Sequence, residues 1–222
     1  KIVDRYESKK SNEDLFIMSI SMQNHGGYTE KYDNFDEKAR MLGINYPDVN
    51  QYLSLIHESD SALEYLISYF EKVDDPVEIV FFGDHQPSLS SSFYPYLNGK
   101  GLSGLTLSEL ENLYTVPFFI WTNYDSGKES VELTSLNYLS TLALERAGIA
   151  LPAYNQFLAD MMEEIPAVNS RGFYSKSQGK FLHVEDAAGE DAKWLKNYEI
   201  LQYNNMFDKR NKSELIFPYL KQ

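Results

Sequence analysis

Three short runs along the chain are almost wholly apolar: Leu15 to Met22 (LFIMSISM), Val77 to Phe82 (VEIVFF) and Val116 to Trp121 (VPFFIW). None has helical spacing and all have strand length, so the pattern predicts three buried strands, with Pro117 placing the last at an end or edge position. Between the first two runs, Val49, Tyr52, Leu53, Ile56, Leu63, Leu66, Ile67 and Phe70 recur mostly at intervals of three and four. That spacing predicts a long amphipathic helix, stopped at Asp74-Asp75-Pro76. Strand, helix and strand together read as a βαβ unit with a parallel pair and a right-handed crossover. Tyr32 to Pro47, which mixes charges with Gly43 and Pro47, reads as an irregular surface excursion.

Further along, Thr106-Leu107-Ser108-Glu109 fits a capping box at the start of a short helix. Leu136, Leu139, Leu142 and Ala143 predict another helix, with Gly148 suited to its C-terminal cap, and Ala153 to Glu164 predicts a third. After Pro166 the character changes. Gly172 to Lys176 and Lys180 to Val184 flank Ser177-Gln178-Gly179 and read as a β-hairpin. A helix from about Asp191 to Tyr203 follows, with Trp194, Leu195, Tyr198 and Leu201 on one face. The expected fold is α/β: a partial, doubly wound, mainly parallel sheet with helices on both faces over residues 1–165, then a small appended α+β subdomain over residues 166–222.

Composition narrows the function. The chain has 222 residues, enough for one large domain, with 20 Lys plus Arg against 33 Asp plus Glu and a formal charge of −13. That balance excludes nucleic acid as a partner and a polybasic membrane-surface module, since both need a basic face. Cysteine is absent, so there is no disulfide framework, thiolate metal site or cysteine nucleophile. The apolar runs fall short of the ~20 residues that span a bilayer. Lys1 to Lys10 lacks a starting Met and the apolar core of a signal peptide, so the chain reads as a segment whose parent carries its targeting and anchor upstream.

Two polar loops carry the candidate chemistry, and both follow predicted strands, which places them on the edge where open α/β sheets bind ligands. Phe82-Gly83-Asp84-His85 ends the second run: a turn begun at Gly83 lets neighbouring carboxylate and imidazole groups converge, giving half of a divalent-metal shell. The alternative is an Asp capping the next helix and a His satisfied by a backbone carbonyl. Asn24-His25-Gly26-Gly27 ends the first run, and a His beside two glycines suits an anionic oxygen; alternatively it only packs in a turn. His57 and His183 fit a boundary and a structural position. The sequence has no G-x-S-x-G, Walker-type or G-x-G-x-x-G motif.

The combination of a strand ending in Asn-His, a long helix carrying Tyr52-Leu53 and Ser59-Asp60, and a strand ending in Phe-Gly-Asp-His-Gln-Pro resembles the C-terminal half of sulfatase-like enzymes of the alkaline phosphatase superfamily, most closely the lipoteichoic acid synthase type of phosphoglycerol transferase. The resemblance covers roughly residues 14 to 165. It implies that Asp84 and His85 are ligands of a divalent cation, Mn²⁺ or Mg²⁺, and that His25 contacts the phosphate or glycerol of the substrate. It further implies an extracellular, membrane-anchored enzyme that takes phosphoglycerol from phosphatidylglycerol, an anionic phospholipid, onto a threonine and passes it to a polyglycerolphosphate chain. In that family the threonine and an acidic metal ligand lie well upstream of the position of His25. No residue from Lys1 to Asn24 matches them, so the segment alone is expected to be inactive and, lacking neighbouring strands, to self-associate. The sibling activities are phosphoethanolamine transfer, sulfate-ester hydrolysis and phosphodiester hydrolysis; the contrasting class is a non-catalytic α/β binding module.

Overall fold

The computed structural model describes residues 1–30, 32–208, 210–214 and 216–217. They form two units: Lys1–Val77 with Gly83–Leu105, and Glu78–Phe82 with Thr106–Gln222. Helices and two small sheets make this a mixed α/β protein.

The first unit is organised by helix α2, Pro47–Phe70, which begins with proline in its first turn, where a missing N–H costs nothing. Its predicted periodicity holds, but the most buried face is not the apolar one. Along with Val49 and Phe70, the chain buries Asn50, Gln51 and Ser54, while Ile56 and His57 stay exposed. Those polar side chains serve the irregular backbone around the helix. Ser54 Oγ accepts from the Lys38 and Ala39 amides at 3.0 and 3.1 Å, Asn50 Oδ1 accepts from the Met41 amide at 2.9 Å, and Gln51 Nε2 donates to the Glu30 carbonyl at 3.1 Å. A loop cannot satisfy its own amides, so a polar helix face does it instead.

Two short helices escape the periodicity reading because each is only six residues long. Helix α1, Ile2–Glu7, packs the Tyr6 ring edge-on against Phe70 at 5.1 Å, donates from Tyr6 Oη to Asp75 at 2.9 Å, and is followed by a Lys9–Asp75 ion pair of 2.9 Å. Helix α3, Phe93–Asn98, sets Phe93 against Tyr46 at 5.2 Å.

Leu15 to Met22 is the clearest departure from expectation. It forms no strand, and Phe16, Met18, Ile20 and Met22 are 65–91% exposed. A strand exists through its ladder, and none of the described residues pairs with this run. The expected parallel crossover is therefore not seen. Strand β1, Glu78–Phe82, pairs antiparallel with β2, Phe118–Thr122, in the register Glu78↔Thr122 to Phe82↔Phe118. Both strands are largely half-buried, and Phe81 stacks on Phe119 across the ladder at 5.3 Å. The sequence pattern identifies β1 and β2 but not their pairing, and it places a third strand at Leu15 to Met22 where none forms.

The rest of the second unit follows the sequence closely. Helix α4, Leu107–Asn112, opens with the expected capping box: the Thr106 hydroxyl accepts from the Glu109 amide, and Glu109 Oε2 accepts from the Thr106 amide at 2.7 Å. Helix α5, Leu139–Arg146, extends a 3₁₀ turn at Leu136–Tyr138, and Gly148 beyond it takes φ +69°, a left-handed conformation that glycine adopts without a Cβ clash. Helix α6, Ala153–Glu164, has the predicted limits.

Strands β3, Gly172–Ser175, and β4, Lys180–His183, form the hairpin, and helix α7 spans Gly189–Met206. Tyr138, Leu158, Met161, Ile165 and Phe173 make the core, with Trp194, Leu195 and Tyr198 against it. The change of character at Pro166 thus falls inside a shared core. Tyr138 donates to the Ile165 carbonyl at 2.7 Å, and burial pushes the Tyr198 phenol up to about 12. No helix among the described residues is long and apolar enough to cross a membrane.

Candidate functional site

His25, Asp84 and His85 all lie in the first unit, and the structure brings their loops together. The His25 loop has no regular structure, so its position comes from what it is tied to. Asn24 and Ser59 exchange hydrogen bonds, Nδ2 donating to Oγ at 2.9 Å and Oγ to Oδ1 at 3.2 Å. Tyr28 donates its hydroxyl to the Asn24 carbonyl at 2.6 Å, and its buried ring meets Tyr52 edge-on at 5.6 Å. Burial, with Tyr52 adding to it, raises the Tyr28 phenol above its ordinary value, so it remains a donor. Every one of these anchors reaches helix α2 or the loop itself, and His25 projects from between them, exposed.

The second loop leaves β1 at Gly83 and is fastened further down the same helix. Asp48 Oδ2, in the first turn of α2, accepts from the Ser90 amide at 2.7 Å, and Tyr46 Oη donates to the Ser92 carbonyl at 3.2 Å. Tyr94 Oη accepts from the Leu89 amide at 3.3 Å. Asp84 caps no helix: the next one, α3, begins nine residues later at Phe93.

Asp84 Oδ2 lies 3.8 Å from His85 Nε2, and both side chains are open to solvent. His85 Nδ1 lies 2.9 Å from the Gln86 carbonyl oxygen. A carbonyl can only accept, so Nδ1 carries the hydrogen, and in the neutral ring the lone pair sits on Nε2, the nitrogen that faces Asp84. Carbonyl-anchored imidazoles of this kind are common among metal ligands, because the bond fixes ring and tautomer. Two donors at ~2.0–2.2 Å from one cation, in tetrahedral or octahedral arrangement, sit ~3–3.5 Å apart, so the observed spacing needs only a small closure. The backbone-carbonyl alternative for His85 and the metal-ligand reading are therefore the same geometry.

His25 meets His85 edge-on, with ring centroids 6.4 Å apart and planes at 84°. Among the described residues no group of three or more His, Cys, Asp or Glu is arranged to hold a metal ion. The donor set fits one side of a divalent shell, made by Asp84 and His85, with a second imidazole, that of His25, beside it. His57 is exposed and faces Ser61 one turn along α2, and His183 is exposed at the end of β4. Sequence reasoning missed the roles of Tyr28 and of the Asn24–Ser59 exchange; the signal for both is a polar residue on a helix face opposite a Gly-containing loop.

A family model described as sulfatase matches residues 2–149. A putative cyclic β-1,2-glucan modification protein of Rhizobium meliloti (strain 1021) is 23% identical over 211 residues, 91% of this chain and 33% of its own length. The capsular polysaccharide biosynthesis protein RkpI of the same organism is 34% identical over 96 residues, 43% of this chain and 16% of its own. Among solved structures, the Streptococcus pyogenes phosphoglycerol transferase GacH in complex with sn-glycerol-1-phosphate superposes with a TM-score of 0.61 at 19% identity, over 91% of this chain and 47% of that one. The chain thus spans a third or less of the curated relatives it matches and about half of the structural one, with which it shares its fold. With the sulfatase model running from the first helix to the end of α5, the chain belongs to the sulfatase family of the alkaline phosphatase superfamily.

Proposed function

We propose that this chain is the metal-binding and substrate-orienting part of a phosphoglycerol transferase acting at the extracellular face of the cell membrane. Sulfatase-like and alkaline-phosphatase-like enzymes use divalent metals, and membership of the family supports an enzymatic role for the protein to which these residues belong. Asp84 and His85 are the ligands this chain supplies, and His25 holds an oxygen of the phosphate or glycerol. A divalent cation held there, Mn²⁺ in first place and Mg²⁺ in second, would supply charge neutralisation at the phosphoryl oxygens. That neutralisation matters more than usual here, because a chain of net charge −13 repels an anionic phospholipid. The attacking hydroxyl, a threonine, and the remaining metal ligands come from outside these 222 residues.

The observation that carries the reading is the orientation of His85: Nδ1 tied to a carbonyl, Nε2 turned to a carboxylate oxygen at 3.8 Å, and a second imidazole alongside. Two acceptors are in view. A polyglycerolphosphate chain follows from the likeness to lipoteichoic acid synthases. A polysaccharide is favoured by the relatives named for glucan modification and capsular polysaccharide biosynthesis.

The test is release of diacylglycerol from phosphatidylglycerol by the whole protein, with and without Mn²⁺, compared with Asp84→Ala and His85→Ala. Metal-dependent release lost in both variants is expected. Turnover of a phosphoethanolamine lipid or a sulfate ester instead would move the activity to a sibling, and variants that bind metal and react as the wild type would make the loops structural.

A further inference from the structure

We propose that the C-terminal half of α7 and the turn after it form a surface that settles into the headgroup layer of an anionic bilayer. Four large apolar residues lie there in water: Ile200, Tyr203, Met206 and Phe207 are 52–67% exposed. They are not the rim of the core. Trp194, Leu195 and Tyr198 give α7 its core face, and at ~100° per residue Ile200, Tyr203 and Phe207 project from the opposite side of the helix. One helix thus has two apolar faces, and the core uses the first alone.

The surface has a fixed shape. Tyr203 and Phe207, one turn apart, set their rings 5.7 Å from each other. Beyond them the chain turns back: Asn204 Nδ2 donates to the Asn211 carbonyl at 2.9 Å, and Asn204 Oδ1 accepts from the Ser213 amide at 3.0 Å. Phe217 then returns to the protein, buried and 5.2 Å from the Tyr154 ring. Arg210 and Lys212, within this turn, are held at the same end of α7 as Phe207.

Charge selects the occupant. The chain carries −13, yet from Lys196 to Glu214 four basic residues stand against three acidic ones. Glu199 is engaged with Lys196 at 2.8 Å, and Asp208 accepts from the Asn211 and Arg210 amides at 2.9 and 3.1 Å. One end of a strongly acidic chain is therefore locally basic. Tyr, Phe and Met bordered by Lys and Arg match the boundary of a bilayer, where rings sit at headgroup level and anionic lipids attract the bases. The same surface repels the acidic remainder of the chain, so both fields turn this end toward it. The four side chains offer on the order of 500 Å², short of the ~800 Å² per partner of a stable protein interface, whereas shallow insertion needs no such area.

The surface goes beyond the transferase reading and does not depend on it. Its test is flotation of the 222-residue chain in EDTA with vesicles of phosphatidylglycerol and phosphatidylcholine in equal parts, and with phosphatidylcholine alone. Binding to the mixed vesicles is expected, and binding about tenfold weaker without the anionic lipid. Tyr203→Ser with Phe207→Ser, both at exposed positions, should lower binding to the mixed vesicles about tenfold or more. Arg210→Gln with Lys212→Gln should lower it on the mixed vesicles and leave phosphatidylcholine binding unchanged. Asp84→Ala, and Phe16→Ser with Met18→Ser in the other exposed apolar run, should float as the wild type does. Flotation with this dependence, beside a whole protein that transfers no phosphoglycerol, keeps the surface and discards the transferase reading. No flotation on mixed vesicles, equal binding by Tyr203→Ser with Phe207→Ser, or a lipid-free dimer that this pair abolishes, which would give the face to a second copy, overturns the proposal.

Discussion

Replacing Ser54 by alanine isolates the device on which the first unit is built. The hydroxyl is 1% exposed, accepts from two backbone amides, Lys38 and Ala39, and lies within hydrogen-bond reach of the Ala39 and Asn50 carbonyls at 3.1 and 2.9 Å. Alanine leaves both amides without their acceptor, at ~1–3 kcal/mol each if they stay dry. Water reaching one of them reduces the total, and the better helix propensity of alanine returns a few tenths of a kcal/mol. The expected loss is therefore ~2–3 kcal/mol. Ser61→Ala on the same helix, where the exposed hydroxyl bonds only to His57, should change stability by less than ~0.5 kcal/mol. Urea unfolding gives the totals, and hydrogen exchange at the two amides gives the cause. If amides 38 and 39 keep their protection in Ser54→Ala, the idea that the helix supplies their partner is wrong.

Asp84→Ala and His85→Ala should each weaken Mn²⁺ binding by more than ~10-fold, read by calorimetry on the whole protein; unchanged affinity removes the metal site. Gly172→Ala should destabilise by ~1–3 kcal/mol in thermal unfolding, because a Cβ there would lie 2.6 Å from the Leu182 carbonyl oxygen across the hairpin; a neutral result would mean that the strands part freely. Burial raises the Glu78 carboxyl above its ordinary value, with Arg146 opposing, and its Oε2 has no hydrogen-bond partner among the described residues. A raised acid binds its proton more tightly when folded, so its contribution is whole below ~pH 4 and is lost as pH rises through the higher folded value. Glu78→Gln should lack that decline and be more stable than the wild type at pH 7, which urea midpoints at the two pH values check. Phe16, Met18, Ile20 and Met22 leave an apolar run in water, so the 222-residue chain should associate in sedimentation at high concentration and Phe16→Ser with Met18→Ser should reduce it; a stable wild-type monomer refutes this.

What the sequence disclosed divides along physical lines. Helices α2 and α6, the capping box at Thr106 and the hairpin after Pro166 are written locally, in spacing and turn chemistry, and the structure follows them. The partner of β1 is not local. An apolar pentapeptide states that it belongs in a sheet, but whether the Leu15 run or Phe118–Thr122 lies beside it depends on the path of the intervening chain. Nor could periodicity reveal α1 and α3, which are shorter than two turns. The candidate site was legible because glycine at position 83, at the end of β1, and the glycines after His25 mark turns that gather polar side chains, although the run before His25 forms no strand.

The supporting face of α2 was not legible, for a reason that bears on function. Asn50, Gln51 and Ser54 lie among apolar positions and look like interruptions, yet they are among the most buried residues of the helix. Backbone without secondary structure must find its hydrogen-bond partners elsewhere, and the same helix also holds both site loops: Ser59 exchanges side-chain hydrogen bonds with Asn24 and Tyr52 packs on Tyr28 in the one bearing His25, and Asp48 accepts from the Ser90 amide in the one that follows Asp84 and His85. Because these anchors share one rigid helix, the two loops keep a common frame although neither touches a regular element through its own backbone ladder. Loosening a single anchor should then alter the spacing of His25 from His85 before it alters the fold, which makes Ser59→Ala the substitution that separates site geometry from stability.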